Sequence, residues 1–325
     1  MRSLSVRIER WPIAGSFTIS RGAKTEAAVI VAEIADGDHR GRGECVPYAR
    51  YGETLQGVAD AIMAMSRVSR GLDRLGLQEA IGPGAARNAV DCALWDLAAK
   101  QSGEPVHRLA GLPAPAPVTT AYTISLAAPE LMAVQAAEAA ARPLLKVKLG
   151  AAGDAARIAA VRRAAPNAEL IVDANEGWSA EMLSENLAAC AQAGVTLIEQ
   201  PLPAGGDDIL ARIRHPVPLC ADESVHARPS LDALRDKYEA VNIKLDKAGG
   251  LTEALATAAE AQRLGFVVMV GSMVATSLAV APAVLVAQRA SLVDLDGPLL
   301  LERDRPRGLR YDGSLVYPAT PALWG

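Results

Sequence analysis

From about residue 118 onward, apolar or β-branched runs of strand length end in polar residues and alternate with Ala- and Leu-rich stretches of helical character. The polar residues that end successive runs recur every 22 to 27 residues, about the length of one strand–helix unit. Such a repeat predicts a parallel barrel of the (β/α)8 kind. An open doubly wound sheet is the alternative, but no GxGxxG follows a first strand and eight units are many for that fold. The predicted strands are TTAYTISL, LLKVKLG, ELIVDAN, VTLIEQP, PLCADES, AVNIKLDK, FVVMVGS and SLVDLDGP.

Residues 1–112 have a different pattern, in which apolar and polar positions alternate as in antiparallel strands. The segments SLSVRIERWPI and AAVIVAEIAD predict two strands, and ARNAVDCALWDLAAKQSG predicts a helix. We therefore predict an α+β capping domain over 1–112, a barrel over 113–300 that follows the Pro-rich hinge GLPAPAPV, and a C-terminal segment over 301–325. That segment has too few helical signals to extend the barrel and is predicted to return to the cap.

One segment, FVVMVGSMVATSLAVAPAVLVA at 266–287, is long enough to imitate a membrane span. Its glycine, proline and hydroxyl residues, together with a β-rich first half, favour a buried strand, loop and helix. The N-terminal stretch MRSLSVRIERWPIAG alternates apolar and charged residues and has no continuous apolar region, so it predicts a strand and not a signal peptide. We expect a cytoplasmic protein.

Charge and cysteine content exclude several partner classes. The 325 residues carry 33 basic and 37 acidic side chains, a net charge of −4, without a long basic block. Nucleic acid and anionic membranes are therefore poor candidate partners, and a small molecule is the expected one. Barrels of this kind often associate, so a homo-oligomer is left open. The cysteines show no CxxC pattern and predict free thiols in a reducing compartment: Cys45, Cys92, Cys190 and Cys220.

The ends of the predicted strands carry an unusual set of charged residues. Barrel enzymes place their chemistry at the C-terminal ends of the strands, so residues there meet in one ring. Asp173, Glu199 and Asp222 end three successive strands and are expected to point at a common centre. Three carboxylates need a counter-charge, and hard oxygen ligands suit Mg²⁺. The alternative is that each acid caps a helix N-terminus.

Lysines flank these acids on both sides. In LLKVKLG, Lys146 and Lys148 share one face because strand side chains alternate, and Lys244 ends the sixth strand. Lys148 and Lys244 would then face each other across a substrate, one removing a proton and the other delivering one. A lysine base needs a lowered pKa, and the charge of Lys146 would disfavour the charged form of Lys148. The alternative is that Lys146 and Lys148 extend to solvent at a strand end.

Taken together, the motifs resemble those of the enolase superfamily, in its muconate-lactonizing subgroup. They are KVK (146–148), DAN (173–175), EQP (199–201), ADES (221–224) and NIKLDKAGG (242–250), in the order of that family and over nearly the whole chain. The resemblance implies a modified (β/α)8 barrel, (β/α)7β, of the TIM type with an α+β capping domain. It also implies bound Mg²⁺ and a lysine that acts as the base, removing a proton from a carbon atom of the substrate. Asn175 and Glu223 are expected beside the metal ligands, with Lys146.

Within the subgroup the chain most resembles the L-Ala-D/L-Glu (dipeptide) epimerases. The motif DLDGP supplies Asp294 and Asp296, which in such enzymes bind the ammonium terminus of the dipeptide, and which we expect to lie away from the metal. In the cap, Arg21 and Lys24 are candidates for the distal carboxylate of a Glu side chain. The implied activity is epimerisation at the α-carbon of the C-terminal residue, in murein peptide metabolism.

Other functions stay open at this point. N-acylamino acid racemase, o-succinylbenzoate synthase and cycloisomerase share the metal and the lysines, and only the DxD pair and the cap loops argue against them. A Schiff-base aldolase on a similar barrel has no need for three metal-binding acids. A barrel that binds a metabolite without turnover is the non-enzymatic alternative.

Overall fold

The computed structural model describes residues 2–65 and 73–325. The N-terminal part forms a three-stranded antiparallel sheet with strands β1 (Ser3–Ile19), β2 (Gly22–Asp36) and β3 (His39–Cys45) in that order. The register of β1 and β2 shifts between Pro12 and Phe17, where β1 bulges. The helices that follow are α1 (Leu55–Met65), α2 (Arg74–Ala80), α3 (Ala85–Ser102) and α4 (Val106–Leu109). Both predicted strands and the predicted helix are confirmed.

Strand β3 escaped the sequence analysis because its residues, HRGRGEC, are polar or small. Its glycines are explained by the packing of α3 against the sheet. A Cβ at Gly41 would lie 2.1 Å from the Ala93 carbonyl oxygen, and one at Gly43 would lie 2.1 Å from that of Ala89. The close approach of helix and strand therefore requires glycine at both positions.

The rest of the chain is built around an eight-stranded parallel sheet in the order β12-β11-β10-β9-β8-β7-β6-β5. The Ala121 amide donates to the Val293 carbonyl oxygen at 2.8 Å, so the first and last strands approach each other and the sheet is nearly closed into a barrel. Short β4 (Val118–Thr119) precedes it. The predicted fold class is confirmed. The eight strands are β5 (Tyr122–Ile124), β6 (Leu144–Lys148), β7 (Glu169–Asp173), β8 (Val195–Glu199), β9 (Leu219–Ala221), β10 (Ala240–Ile243), β11 (Val267–Gly271) and β12 (Leu292–Asp294).

Helices cover the outside of the barrel, but not between every pair of strands. The connections β8–β9 and β9–β10 contain only short 3-10 helices, at Asp208–Arg212, Arg228–Ser230 and Asp232–Leu234. The expectation of an Ala/Leu-rich helix after every strand is therefore wrong here, and the first of these connections carries four prolines and two glycines. The α-helices are α5 (Pro129–Glu138), α6 (Asp154–Ala164), α7 (Ala180–Gln192), α8 (Leu245–Ala248), α9 (Leu251–Arg263) and α10 (Ser277–Ala287).

The segment that imitates a membrane span folds as β11, a loop and α10, as predicted. Nearly every residue of α10 is buried, because the helix packs inside the protein between β11, β3 and α9. In the described part of the chain, each helix is too short or too polar to cross a bilayer.

The C-terminal segment contacts both parts of the molecule. Strands β13 (Tyr311–Asp312) and β14 (Leu315–Val316) form a small antiparallel sheet with β4. The Arg305 guanidinium binds the buried Glu44 carboxylate of β3, and the Trp324 indole N–H donates to the Cys92 carbonyl oxygen of α3. The boundaries predicted after residues 112 and 300 stay predictions.

Candidate active site

Three buried carboxylates lie at the C-terminal ends of neighbouring strands. Asp173 ends β7 and is in register with Glu199 at the end of β8, and Asp222 follows β9 by one residue. Each of the three is at most 2% exposed, so none is a surface helix cap. The strand spacing of the sequence therefore predicted correctly that these acids gather at one end of the barrel.

Lys146 and Lys148 both bind this acid cluster. The Nζ of Lys146 lies 2.5 Å from Glu199 Oε2 and 3.2 Å from Asp173 Oδ2, and the Nζ of Lys148 lies 2.6 Å from the same Asp173 oxygen. Two ammonium groups that share one oxygen must lie on one face of β6, as the alternation predicted. Both side chains are buried, so neither extends to solvent.

The opposite side of the cluster has its own pair of lysines. Lys244, just after β10, places Nζ 2.7 Å from Asp222 Oδ2, and Lys247 places Nζ 2.5 Å from Asp222 Oδ1. Lys247 also donates to the carbonyl oxygens of Asp222 and Asn242. The sequence analysis did not single out Lys247, although its position in NIKLDKAGG, three residues after Lys244, was a usable signal.

Lys148 and Lys244 approach the site from opposite sides. They belong to β6 and to the end of β10, which are four strands apart in an eight-stranded, nearly closed sheet. The carboxylates that they bind, Asp173 and Asp222, lie between them. A small molecule above the acid cluster would thus have one ammonium group on each side.

Asp294 and Asp296 lie closer to the acid cluster than expected. Asp294 Oδ2 binds Lys146 at 2.7 Å, and this Nζ also binds Asp173 and Glu199. The expectation that Asp294 and Asp296 lie away from the metal ligands is therefore wrong for Asp294, because Lys146 binds both Asp294 of β12 and Asp173 of β7. Asp296 Oδ2 accepts the Thr123 amide at 2.7 Å, and burial, together with the charge of Asp294, raises its pKa to about 7.

The electrostatics of the cluster follow from many charges at close range. Burial raises the pKa of Glu199 to about 7, and the Asp173 carboxylate adds to this effect. Burial also acts on Asp173 and Asp222, but the neighbouring lysines outweigh it and hold the pKa of both carboxyls below the ordinary range.

The pKa of Lys244 differs from the expectation for a base. Burial lowers it, but Asp222 and Glu199 outweigh burial and leave the pKa above its ordinary value. The pKa of Lys146 is raised for the same reason, and Asp294 is the carboxylate with the largest effect. Both lysines therefore lie among carboxylates whose negative charge favours the ammonium form.

The acid cluster fits a divalent cation in its chemistry. All its donors are carboxylate oxygens, which Mg²⁺ prefers, and each is already bound to a positive group. The ammonium groups of Lys146, Lys148, Lys244 and Lys247 supply that charge. In residues 2–65 and 73–325, however, no three acids, histidines or cysteines are already arranged around one ion position. Asp173, Glu199 and Asp222 are thus suitable ligands that the lysines hold in another arrangement.

Two amides that the sequence analysis missed orient the acids. Gln200 accepts the amide of Asp222 through Oε1 and donates from Nε2 to the Tyr238 hydroxyl. Its φ of +36° is in the left-handed region, which costs a non-glycine residue about 1–3 kcal/mol. Asn242 donates from Nδ2 to Glu199 Oε1 at 2.7 Å. Gln200 follows β8 directly and Asn242 is a single polar residue within β10, so neither gave a periodic signal.

Arg21 joins the cap to the barrel. Its Nη1 donates to the Asn175 carbonyl oxygen at 2.7 Å, and its Nη2 donates to Glu223 Oε1 at 2.6 Å and to the Tyr48 hydroxyl at 2.5 Å. Asn175 has a φ of +45° and donates its amide to Asp173 Oδ1. Asn175 and Glu223 therefore lie next to the acid cluster, as expected, and Arg21 is already used in holding them.

Lys24 differs from Arg21 in having no anionic partner among the described residues. Its Nζ lies 5.6 Å from the centroid of the Tyr48 ring, and the Arg21 guanidinium lies at the same distance from that ring. Burial lowers the pKa of Lys24, and the charge of Arg21 adds to the effect. Of the two candidate cap cations, Lys24 is the one with free donors.

Comparison with known proteins gives matches over the whole molecule. The model for the mandelate racemase / muconate lactonizing enzyme N-terminal domain matches residues 1–111, and the enolase C-terminal domain-like model matches residues 131–317. An L-Ala-D/L-Glu epimerase of Escherichia coli (strain K12) is 46% identical, with 96% of this chain and 98% of that protein covered. An N-acetyl-D-glutamate racemase of Pseudoalteromonas sp is 44% identical, with 91% and 95% covered.

Solved structures match equally well. An enolase family member from Agrobacterium tumefaciens, with homology to dipeptide epimerases and with bound sodium and L-Ala-L-Glu, is 59% identical over the full length of both chains, with a TM-score of 0.98. A dipeptide epimerase from Cytophaga hutchinsonii, complexed with Mg and D-Ala-L-Val, is 27% identical with a TM-score of 0.91, and 99% of this chain and 94% of that chain are covered.

Proposed function

The chain belongs to the mandelate racemase and muconate lactonizing enzyme family of the enolase superfamily, and we propose that it is a Mg²⁺-dependent epimerase of L-Ala-D-Glu and L-Ala-L-Glu. The observation that carries the proposal is the pair Lys148 and Lys244, buried on opposite sides of three carboxylates. Such an isomerase removes the α-proton of the C-terminal residue and returns a proton to the other face. The proposed setting is murein peptide metabolism in the cytoplasm.

The proposed metal ligands are Asp173, Glu199 and Asp222. When bound, Mg²⁺ would stabilise the negative charge that develops on the substrate carboxylate as the α-proton leaves. Gln200 and Asn242 orient two of these ligands through the hydrogen bonds described above. Asn175 fixes Asp173 through its amide.

The two lysines exchange roles with the direction of the reaction. In this structure each ammonium group binds a carboxylate, Asp173 for Lys148 and Asp222 for Lys244. A lysine acts as a base once it has released a proton to solvent. One neutral lysine then accepts the α-proton, and the other, still charged, donates a proton to the opposite face. By the family pattern Lys148 is the base for the (S) substrate. Lys146 keeps a positive charge beside the reacting carboxylate.

Recognition of the dipeptide is assigned to its two ends. Asp294 and Asp296 would bind the ammonium terminus, for which Asp296 must be ionised. Burial and the charge of Asp294 raise its pKa and oppose ionisation, and the positive charge of a bound ammonium group would lower that pKa again. Lys24 is assigned to the distal carboxylate of the Glu side chain, because its ammonium group has no anionic partner among the residues that the structure describes. Arg21 is assigned the supporting role of holding Glu223 and Asn175.

A dipeptide screen in D₂O with Mg²⁺ tests the proposed function. We expect deuterium at the α-carbon of the C-terminal residue, fastest with L-Ala-D-Glu and L-Ala-L-Glu, and slower with N-acetylglutamate. The alternative is N-acylamino acid racemisation, which the 44% identical racemase favours. Faster exchange of N-acetylglutamate than of any dipeptide would replace the proposal with that alternative, since the ammonium site at Asp294 and Asp296 would then have no ligand.

Lys24→Ala should raise KM for L-Ala-L-Glu at least about tenfold and leave L-Ala-L-Leu within about twofold. The reason is that one hydrogen bond between charged groups is worth about 1.5–3 kcal/mol, and only the Glu substrate makes it. Arg21→Ala is the comparison variant, and we expect it to slow both substrates because it releases Glu223 and Asn175. Steady-state kinetics on the two dipeptides give the answer. An equal effect of Lys24→Ala on both would remove the assignment.

A further inference from the structure

The segment that carries Lys244 is held by a helix of the cap. Lys244 immediately precedes α8, and α3 packs against the other end of that helix. Arg87 of α3 donates from Nη2 to the Ala248 carbonyl oxygen at 2.6 Å and from Nε to the Gly249 carbonyl oxygen at 3.0 Å. These carbonyls end α8 and have no partner within the helix, so the guanidinium satisfies them and complements the negative end of the helix.

A second contact lies on the same helix. Asn88, next to Arg87, donates from Nδ2 to Asp246 Oδ1 at 2.7 Å, and the same oxygen accepts the Val46 amide at 3.1 Å. Asp246 is the second residue of α8, two positions after Lys244. Arg87 and Asn88 are 5% and 1% exposed, so water does not compete with these bonds. The cap is therefore hydrogen-bonded to α8 at both ends of the helix.

The packing at this contact leaves no room for displacement. Gly249 has a φ of +81°, and a Cβ there would lie 2.4 Å from Arg87 Nε. Gly250 has a φ of +112°, and a Cβ there would lie 2.5 Å from the Asp91 Cβ. Both glycines are needed for the turn out of α8 and for the close approach of α3. Any shift of the Arg87 contact is thus transmitted to α8.

Among the described residues, the cap supports Lys148 less directly than Lys244. It lies in β6, between β5 and β7, and its Cα is in register with that of Asp173. The Phe17 ring of the cap has its centroid 5.6 Å from the Lys148 Nζ. Arg21 of the cap donates to the Asn175 carbonyl oxygen, and Asn175 in turn donates its amide to Asp173, the carboxylate that Lys148 binds. The cap therefore bonds directly to the segment that carries Lys244, but it reaches Lys148 through two intermediate residues, Asn175 and Asp173.

From this asymmetry we infer that Arg87 and Asn88 are positioning residues for Lys244, which act through α8 and serve one direction of the reaction. The inference rests on the proposed two-lysine function and adds to it. Loss of the hydrogen bonds from Arg87 and Asn88 to α8 is expected to displace Lys244 and to leave Lys148 in place. Because a displacement of about 1 Å can cost on the order of 10²-fold in rate, the effect is large enough to measure.

Arg87→Lys and Asn88→Ala test the inference through α-hydrogen exchange in D₂O, followed by NMR for each diastereomer of Ala-Glu separately. Lys244→Ala first identifies the diastereomer whose proton Lys244 removes. We expect Arg87→Lys and Asn88→Ala to slow exchange of that diastereomer about tenfold or more, and to leave the other within about twofold. When the reaction starts from the other diastereomer, Lys148 removes the proton and Lys244 delivers one to the opposite face. The ratio of molecules that exchange their α-hydrogen without inversion to molecules that invert should therefore rise.

Arg42→Lys is the matched control. Arg42 also binds two consecutive carbonyl oxygens across the cap boundary, those of Ala322 and Leu323, and neither carbonyl belongs to α8. We expect its exchange rates to change equally, or not at all, for the two diastereomers. Equal slowing of both diastereomers by Arg87→Lys would overturn the inference, because that is the effect of a general loss of packing.

Amide hydrogen–deuterium exchange by mass spectrometry gives a reading that does not depend on turnover. Arg87→Lys should raise the exchange of residues 245–250 about tenfold and leave β6 unchanged. Unchanged protection of 245–250 would also overturn the inference. Absence of α-exchange in the wild-type protein with every dipeptide would instead overturn the proposed function, so the two failures are distinguishable.

Discussion

Lys148→Ala and Lys244→Ala should each reduce epimerisation of Ala-Glu by about 10²–10⁴-fold or more, the range for the loss of a general acid or base. Each inversion needs both residues, because one removes the proton and the other delivers one. Neither variant removes a proposed metal ligand, so Mg²⁺ should still raise the melting temperature of both. Steady-state rates in both directions and thermal unfolding with and without Mg²⁺ provide the measurements.

The two variants should also differ from each other in a specific way. Each keeps one lysine, so each should still exchange the α-proton of one diastereomer with solvent, and the retained diastereomer should be opposite in the two cases. Lys100→Ala, which removes an ammonium group bound to Asp96 in the cap, should leave both rates unchanged. Full epimerisation by either active-site variant would contradict the assignment of two bases.

Removal of divalent metal should abolish activity, and Mg²⁺ should restore it. Asp173, Glu199 and Asp222 concentrate negative charge in a buried site, where each carboxylate is bound by at least one lysine. Glu199→Gln keeps the size of the side chain and removes one charge, so we expect a loss of about 10²–10³-fold in kcat/KM, comparable to the loss of one electrostatic group at a reacting centre. Activity after chelation and dialysis, then after titration with Mg²⁺, tests this.

Glu260→Gln is the control for this substitution, because Glu260 pairs with Arg263 in α9 and is not a member of the acid cluster. A chelated protein with full activity would show that the acid cluster has another purpose. A Glu199→Gln variant that binds Mg²⁺ as tightly as the wild type, yet is inactive, would assign Glu199 to the chemistry and not to the metal.

The barrel and most of the site could be predicted because they follow from periodicity. Side chains alternate between the two faces of a strand, and successive predicted strands end in a polar residue about every 25 residues. The C-terminal ends of parallel strands in a barrel meet in one ring. Those two facts brought Asp173, Glu199 and Asp222 together and placed Lys148 opposite Lys244. The helices missing between β8 and β10 were mispredicted where prolines, glycines and short polar turns interrupt the pattern.

Contacts between residues that are far apart in the sequence could not be predicted from it. Arg21 binds Glu223 across 202 positions, and Asp294 reaches Lys146 across 148, and neither pairing leaves a local pattern. The raised pKa of Lys244 was not predicted, because it depends on the charge balance of the whole cluster and not on one neighbour. Strand β3 was missed since glycines that serve the packing of α3 reduce its apolar content.

One isotopic measurement decides whether two opposed amines act on a single carbon. Wild-type protein with Mg²⁺ is given one diastereomer of Ala-Glu in D₂O, and the α-position of the first-formed product is read by NMR or mass spectrometry. Delivery from the second lysine predicts deuterium in essentially every inverted molecule from the earliest time. Inverted product that retains the substrate's own hydrogen would mean that one group carries the proton between faces, and would contradict the account.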